Sequence, residues 1–117
     1  MKMHLSIFLD DIRKLPDSNI AAPEEKKWTL VKSAKEAIEL IRKGNVRRIS
    51  LDHDLGNDKN GTGYDVLVAI EKFLHDGTID RPPRMYVHTS NVSARIKMEL
   101  AIRAIRKERW NFNKRKK

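Results

Sequence analysis

Asp52-His53-Asp54 sets two carboxylates around an imidazole, directly after the apolar run Ile49-Ser50-Leu51 and before Leu55-Gly56. Ionised groups are expensive to bury, so such a cluster belongs at an exposed strand end where water, a partner or a metal can satisfy it. Two other stretches repeat the pattern. Asp10-Asp11 follows Leu5-Ser6-Ile7-Phe8-Leu9, and His88-Thr89-Ser90-Asn91 follows Met85-Tyr86-Val87. Histidine titrates near neutrality, so His53 and His88 suit a general acid and base in either order. Asp10, Asp11, Asp52 and Asp54, brought together, would repel one another unless a cation sat among them. Oxygen ligands of this kind select a hard divalent ion such as Mg²⁺.

Those residues need elements to position them. Leu5–Leu9, Trp28-Thr29-Leu30-Val31, Val46–Leu51 and Met85–His88 read as four strands rich in β-branched and aromatic residues. Ser33 with Glu36 forms a capping box that opens a helix with Ala34, Ala37, Ile38 and Ile41 on one face, and Gly44 stops it. Thr62 with Asp65 caps a second helix, with Val66, Leu67, Ile70, Phe73 and Leu74 inward and a close at His75 and Gly77. Ser90 or Asn91 caps a third, whose predicted apolar stripe is Val92, Met98, Ala101, Ile102 and Ile105, fraying at Trp110. Pro16, Asn19 and Pro23 argue against a long helix after the first strand. Strands alternating with helices predict a parallel α/β sheet with right-handed crossovers. In the order 2-1-3-4, strands 1, 3 and 4 are neighbours, and the winding reverses between 1 and 3, where such sheets bind ligands.

The totals bound the rest. The chain has 117 residues, one domain's worth, with 39% apolar and 35% charged residues. It has no cysteine, which excludes disulfides and zinc–thiolate sites and fits a reducing cytoplasm. No apolar run approaches the roughly 20 residues that span a bilayer, and Asp10 comes too soon for a signal peptide. The net charge of +9 is concentrated at one end: residues 103–117 hold eight basic residues and one acid, leaving +2 for the first 102. Residues 1–109 therefore read as the domain and 110–117 as a cationic tail. Arg109, Trp110, Phe112, Lys114, Arg115, Lys116 and Lys117 combine charge with stacking rings, the pattern of a single-stranded RNA contact. The alternative is a solvated cationic face. No obligate protein partner is evident.

Asp10-Asp11 and Asp52 resemble the acidic pocket of response-regulator receiver domains, with Asp52 at the phospho-acceptor position and Asp54 where receivers offer a backbone carbonyl to the metal. Two departures stand out. The chain ends before a fifth strand and its lysine, and His88 takes the place of the switch Ser/Thr. Both point to an offshoot, the cyclic-phosphate processing receiver-like domains of phages and bacteria. Its pattern is similar to Leu9-Asp10-Asp11-Ile12-Arg13 with Pro16, Trp28, Leu51-Asp52-His53-Asp54-Leu55-Gly56, Gly63-Tyr64-Asp65-Val66, and His88-Thr89-Ser90-Asn91 with Met98. Thr89 stands where serine is expected. The resemblance implies a three-layer, flavodoxin-like fold lacking the fifth strand. It also implies cytoplasmic processing of 2′,3′-cyclic phosphate at RNA ends, in a bacterium or phage-infected host.

Opening such a ring takes a base to activate water and an acid to protonate the departing ribose oxygen, the work His53 and His88 suit. The acidic cluster would hold Mg²⁺. Arg13 could clamp a phosphate bidentately or pair with an acid, and Thr89, Ser90 and Asn91 are candidate substrate-binding groups. Asp54 could instead cap its loop, and Trp28 and Met98 read as packing residues. His4 and His75 fall away from the strand ends. Two other readings are a receiver-type module phosphorylated on Asp52, and a non-catalytic RNA-binding protein with a vestigial acidic pocket.

Overall fold

The computed structural model describes residues 5–10, 28–55 and 58–116. Four parallel strands form one sheet in the order β2-β1-β3-β4, as expected. They are β1 (Leu5–Leu9), β2 (Thr29–Val31), β3 (Val46–Leu51) and β4 (Arg84–Val87). Three helices connect and follow them: α1 (Ala34–Arg42), α2 (Gly63–Asp76) and α3 (Val92–Lys116). No helix among the described residues is long and apolar enough to cross a membrane.

Local chemistry explains the boundaries. Ser33 accepts the Glu36 N–H at the start of α1. Thr62 and Asp65 complete a reciprocal capping box on α2, and Gly77 ends it in the left-handed region at φ 83°. Caps of this kind each contribute about 1 kcal/mol. Asn91 caps α3 by accepting the Ala94 N–H at 3.0 Å.

Alternation along the strands sorts the core. Ile7, Leu9, Val31, Ile49, Leu51 and Met85 turn to one face. There they join Ala37 and Ile41 of α1, Leu67 and Ile70 of α2, and Met98, Ile102 and Ile105 of α3 in one buried cluster. Each large aliphatic side chain so buried is worth about 1.5–3 kcal/mol. All three described helices cover this face. The expected third layer depends on residues 11–27, which lie outside the described residues.

Two expectations about α3 are corrected. Val92 is exposed, and the stripe runs through Ala94, Met98, Ile102 and Ile105 instead. At 100° per residue, Val92 lies on the side of the helix away from that stripe, in line with exposed Ile96 and Leu100. The helix also does not fray at Trp110 but continues to Lys116, since residues 110–116 contain neither Gly nor Pro to stop it. The side chains from Arg109 onward, and Lys117, lie outside the described residues.

Candidate active site

The site is one rung of the sheet. Leu9, Leu51 and Val87 lie side by side in the ladder. The next residue on each strand is Asp10, Asp52 and His88. Backbone bonds carry the ladder into that rung: Asp52 N–H donates to Leu9 at 3.0 Å, His88 N–H to Leu51 at 2.9 Å, and Asp10 N–H to Val31 at 3.0 Å. Adjacent strands lie about 4.8 Å apart. Accordingly, one carboxylate oxygen from each aspartate and one His88 ring nitrogen all fall within 4.8 Å of one another.

Asp10 is 1% exposed, so its carboxylate needs a charged or hydrogen-bonding partner. His88 is one such partner, with Nε2 3.1 Å from Asp10 Oδ2. The other ring nitrogen, Nδ1, lies 2.7 Å from Ser50 Oγ. With Asp10 ionised, Nε2 carries the proton and donates, while Nδ1 accepts from the serine hydroxyl in the neutral ring. Phe8 stacks on the imidazole, with centroids 4.2 Å apart and planes 8° from parallel. Trp28 meets Phe8 edge-on at 5.8 Å, and the Arg48 guanidinium lies 4.5 Å from the Trp28 ring centre. His88 is thus held in orientation on two edges and a face.

Ser50 and Phe8 were not among the residues singled out from the sequence. Alternation does carry a signal for both. Each sits between two core aliphatics, Ile49 and Leu51 or Ile7 and Leu9, and therefore points away from the core. Register then pairs Phe8 with Ser50 and brings both beneath His88.

The loop after Asp52 is tied back to α2. Asp54 bridges to Thr62, and Gly63 N–H donates to the His53 carbonyl at 3.4 Å. His53 Nδ1 is 2.9 Å from Asp54 Oδ1, and the Asp54 side chain is 62% exposed. Asp54 therefore pairs with His53 and stands outside the group formed by Asp10, Asp52 and His88. Gly63 packs directly on the Asp52 backbone: a Cβ there would stand 2.2 Å from the Asp52 carbonyl oxygen and 2.7 Å from Met98 Cε.

The remaining candidates separate. Thr89 is buried; its Oγ1 accepts the Asn91 N–H at 3.2 Å and its carbonyl accepts from Arg95 Nη2 at 3.0 Å. With Asn91 occupied as the cap of α3, these two side chains shape the loop. Ser90 is exposed. Asp11, Arg13 and His4 lie outside the described residues. His75 is exposed and ion-paired with Glu108, away from the strand ends as expected; with Glu71 the two form a second group of potential metal ligands on α2 and α3.

A family model described as the cyclic-phosphate processing receiver domain matches residues 5–104. The chain belongs to that family. The match takes in every strand, and both Asp52-His53-Asp54 and His88. No curated protein and no solved structure matches the chain.

The donor set of the receiver rung fits a divalent ion. Two carboxylate oxygens suit Mg²⁺ or Mn²⁺. Asp10 and Asp52 would hold it, with the His88 ring, bonded to Asp10 and Ser50, beside them.

Proposed function

We propose that this receiver domain opens cyclic phosphates, with 2′,3′-cyclic phosphate at an RNA end as substrate. The observation that carries the reading is the single ladder rung of Asp10, Asp52 and His88, in a chain whose family processes cyclic phosphates. A divalent ion, Mg²⁺ foremost, would offset charge on the phosphoryl oxygens. In the reaction, a water oxygen bonds to phosphorus and one ribose P–O bond breaks. His53 takes the water proton, because Asp54 holds its Nδ1 and can stabilise the imidazolium that forms. His88, as the imidazolium with Nδ1 then donating to Ser50 Oγ, gives a proton to the departing ribose oxygen and is left neutral. Both its ring nitrogens are engaged, by Asp10 and Ser50, so the substrate oxygen must displace one of those bonds to receive the proton.

The decisive assay incubates the protein with an RNA oligonucleotide ending in 2′,3′-cyclic phosphate, with Mg²⁺, with Mn²⁺ or with chelator. Resolving the end groups should show a 2′- or 3′-monophosphate that accumulates only with metal. An end group unchanged under all three conditions would remove this function.

Metal binding has its own readout. At 100 times its Kd an ion bound only to the folded state stabilises it by about 2.7 kcal/mol. That gain should vanish in Asp10→Asn and in Asp52→Asn. Amide shifts should centre on residues 10, 52 and 88; shifts centred on residues 71, 75 and 108 would place the ion at the second group.

The RNA reading includes the basic end of α3. Removing residues 110–117 deletes four basic side chains and two aromatic rings. The salt slope for binding long single-stranded RNA should become shallower by about 0.7 for each phosphate that the truncated chain no longer neutralises. Turnover of a very short cyclic-phosphate substrate should stay within about twofold, since the rung remains intact. Undiminished binding of long RNA by the truncated chain would leave the tail a solvated face.

A further inference from the structure

β4 is an edge strand, and its outer side is open among the described residues. The His88 N–H donates to Leu51. Backbone groups alternate in a parallel ladder, so Arg84 and Tyr86 also turn theirs to β3. Met85 and Val87 must then aim their N–H and C=O groups outward, and no described residue pairs with them. The edge closes at the next outward position, Thr89, whose carbonyl accepts from Arg95 Nη2. Between this edge and α3 runs a groove of about 470 Å³. It is lined by Met85, Tyr86 and Val87 on the strand and by Glu99, Ile102, Arg103 and Arg106 on the helix.

Edge strands are commonly blunted by charge, proline or a bulge. Pro82 and Pro83 precede β4, but Met85-Tyr86-Val87 contains no such guard. We infer that the groove takes an extended, acidic segment of a partner protein, added to the sheet as a fifth strand. Two outward N–H and two outward C=O groups in alternation are matched by another peptide backbone; a phosphodiester backbone offers acceptors but no amide donors. The charge of the groove selects acidic side chains: Arg103 and Arg106 line it, both exposed, against the single carboxylate of Glu99. The same charge disfavours a second copy of a chain carrying +9. Alternate side chains of the added strand would face Arg103 and Arg106 on one side and exposed Tyr86 on the other.

The test uses the full chain and a capped heptapeptide alternating glutamate and valine, with the lysine–valine peptide as control. Hydrogen exchange is read by NMR amide by amide. In the free protein the Met85 and Val87 amides should exchange freely while that of Tyr86 is protected. The acidic peptide should slow Met85 and Val87 at least about tenfold, and the basic peptide should leave them unchanged. Arg103→Glu with Arg106→Glu, both on the exposed side of α3, should weaken the acidic peptide about tenfold without moving the melting temperature. Equal protection by both peptides, or by neither, overturns the inference. So does protection that rises with protein concentration alone, which would assign the edge to a second copy, and so does stronger protection by single-stranded RNA.

Discussion

His88→Ala and His53→Ala are each expected to lower the rate of cyclic-phosphate opening by about 10²- to 10⁴-fold, the usual contribution of a positioned acid or base. The two substitutions should differ in their side effects. His53 is part exposed and pairs with an exposed carboxylate, so its loss should barely change the melting temperature. His88 is one of the partners of a carboxylate that is 1% exposed, and truncating one member of a buried pair is destabilising. His88→Gln keeps a donor for Asp10 without a titrating ring and separates the two effects: the fold should be largely restored and the rate should stay low. Ser50→Ala removes the hydroxyl at Nδ1 and should alter the pH profile rather than abolish turnover. The double histidine mutant should lose less than the product of the single losses, because paired catalytic groups act as a unit. The wild-type rate should be bell-shaped in pH, with one limb missing in each single mutant. Near wild-type turnover in both would remove the histidines from the chemistry and leave the aspartates alone to explain it.

Among the described glycines, Gly63→Ala should be the most damaging substitution. The added Cβ would stand 2.2 Å from a backbone oxygen, the Asp52 carbonyl, which cannot rotate away as a side chain could. Forcing a methyl into such a contact costs about 3 kcal/mol, or roughly 10–20 °C in melting temperature for a domain of this size. The strain falls on the strand end that carries Asp52, so metal affinity should fall with stability. Adding Met98→Ala removes the second clash, at Met98 Cε, but not the first, and should recover little. A melting temperature within a degree or two of wild type for Gly63→Ala would mean that α2 does not pack against Asp52 this closely.

Much of this arrangement is written locally. Asp10, Asp52 and His88 each follow an apolar strand, and that pattern requires no tertiary information. The caps at Ser33, Thr62 and Asn91 bond groups only three residues away, so the helix starts were legible. Val92 was misplaced because a helical stripe can be drawn through neighbouring positions, and packing against the sheet decides which drawing is buried. Thr89 and Asn91 look like ligand groups by residue type, whereas their hydrogen bonds are spent on the loop and the cap.

The sequence by itself determined the strands, the order of elements, the sites of charge and the three residue types of the pocket. Only the tertiary structure decided that Leu9, Leu51 and Val87 share a row, which makes the next residues one site. It also recruited Phe8 and Ser50 to fix His88, set Asp54 on His53 rather than in the acidic group, and closed Gly63 onto Asp52. The physical reason is range. Propensity and capping act within a few residues, while register joins positions such as Ser50 and His88, 38 residues apart, or Asp10 and His88, 78 apart. A shift of one residue would turn either side chain to the opposite face of the sheet, and packing of the whole core selects the register that keeps Ile7, Ile49 and Met85 inside.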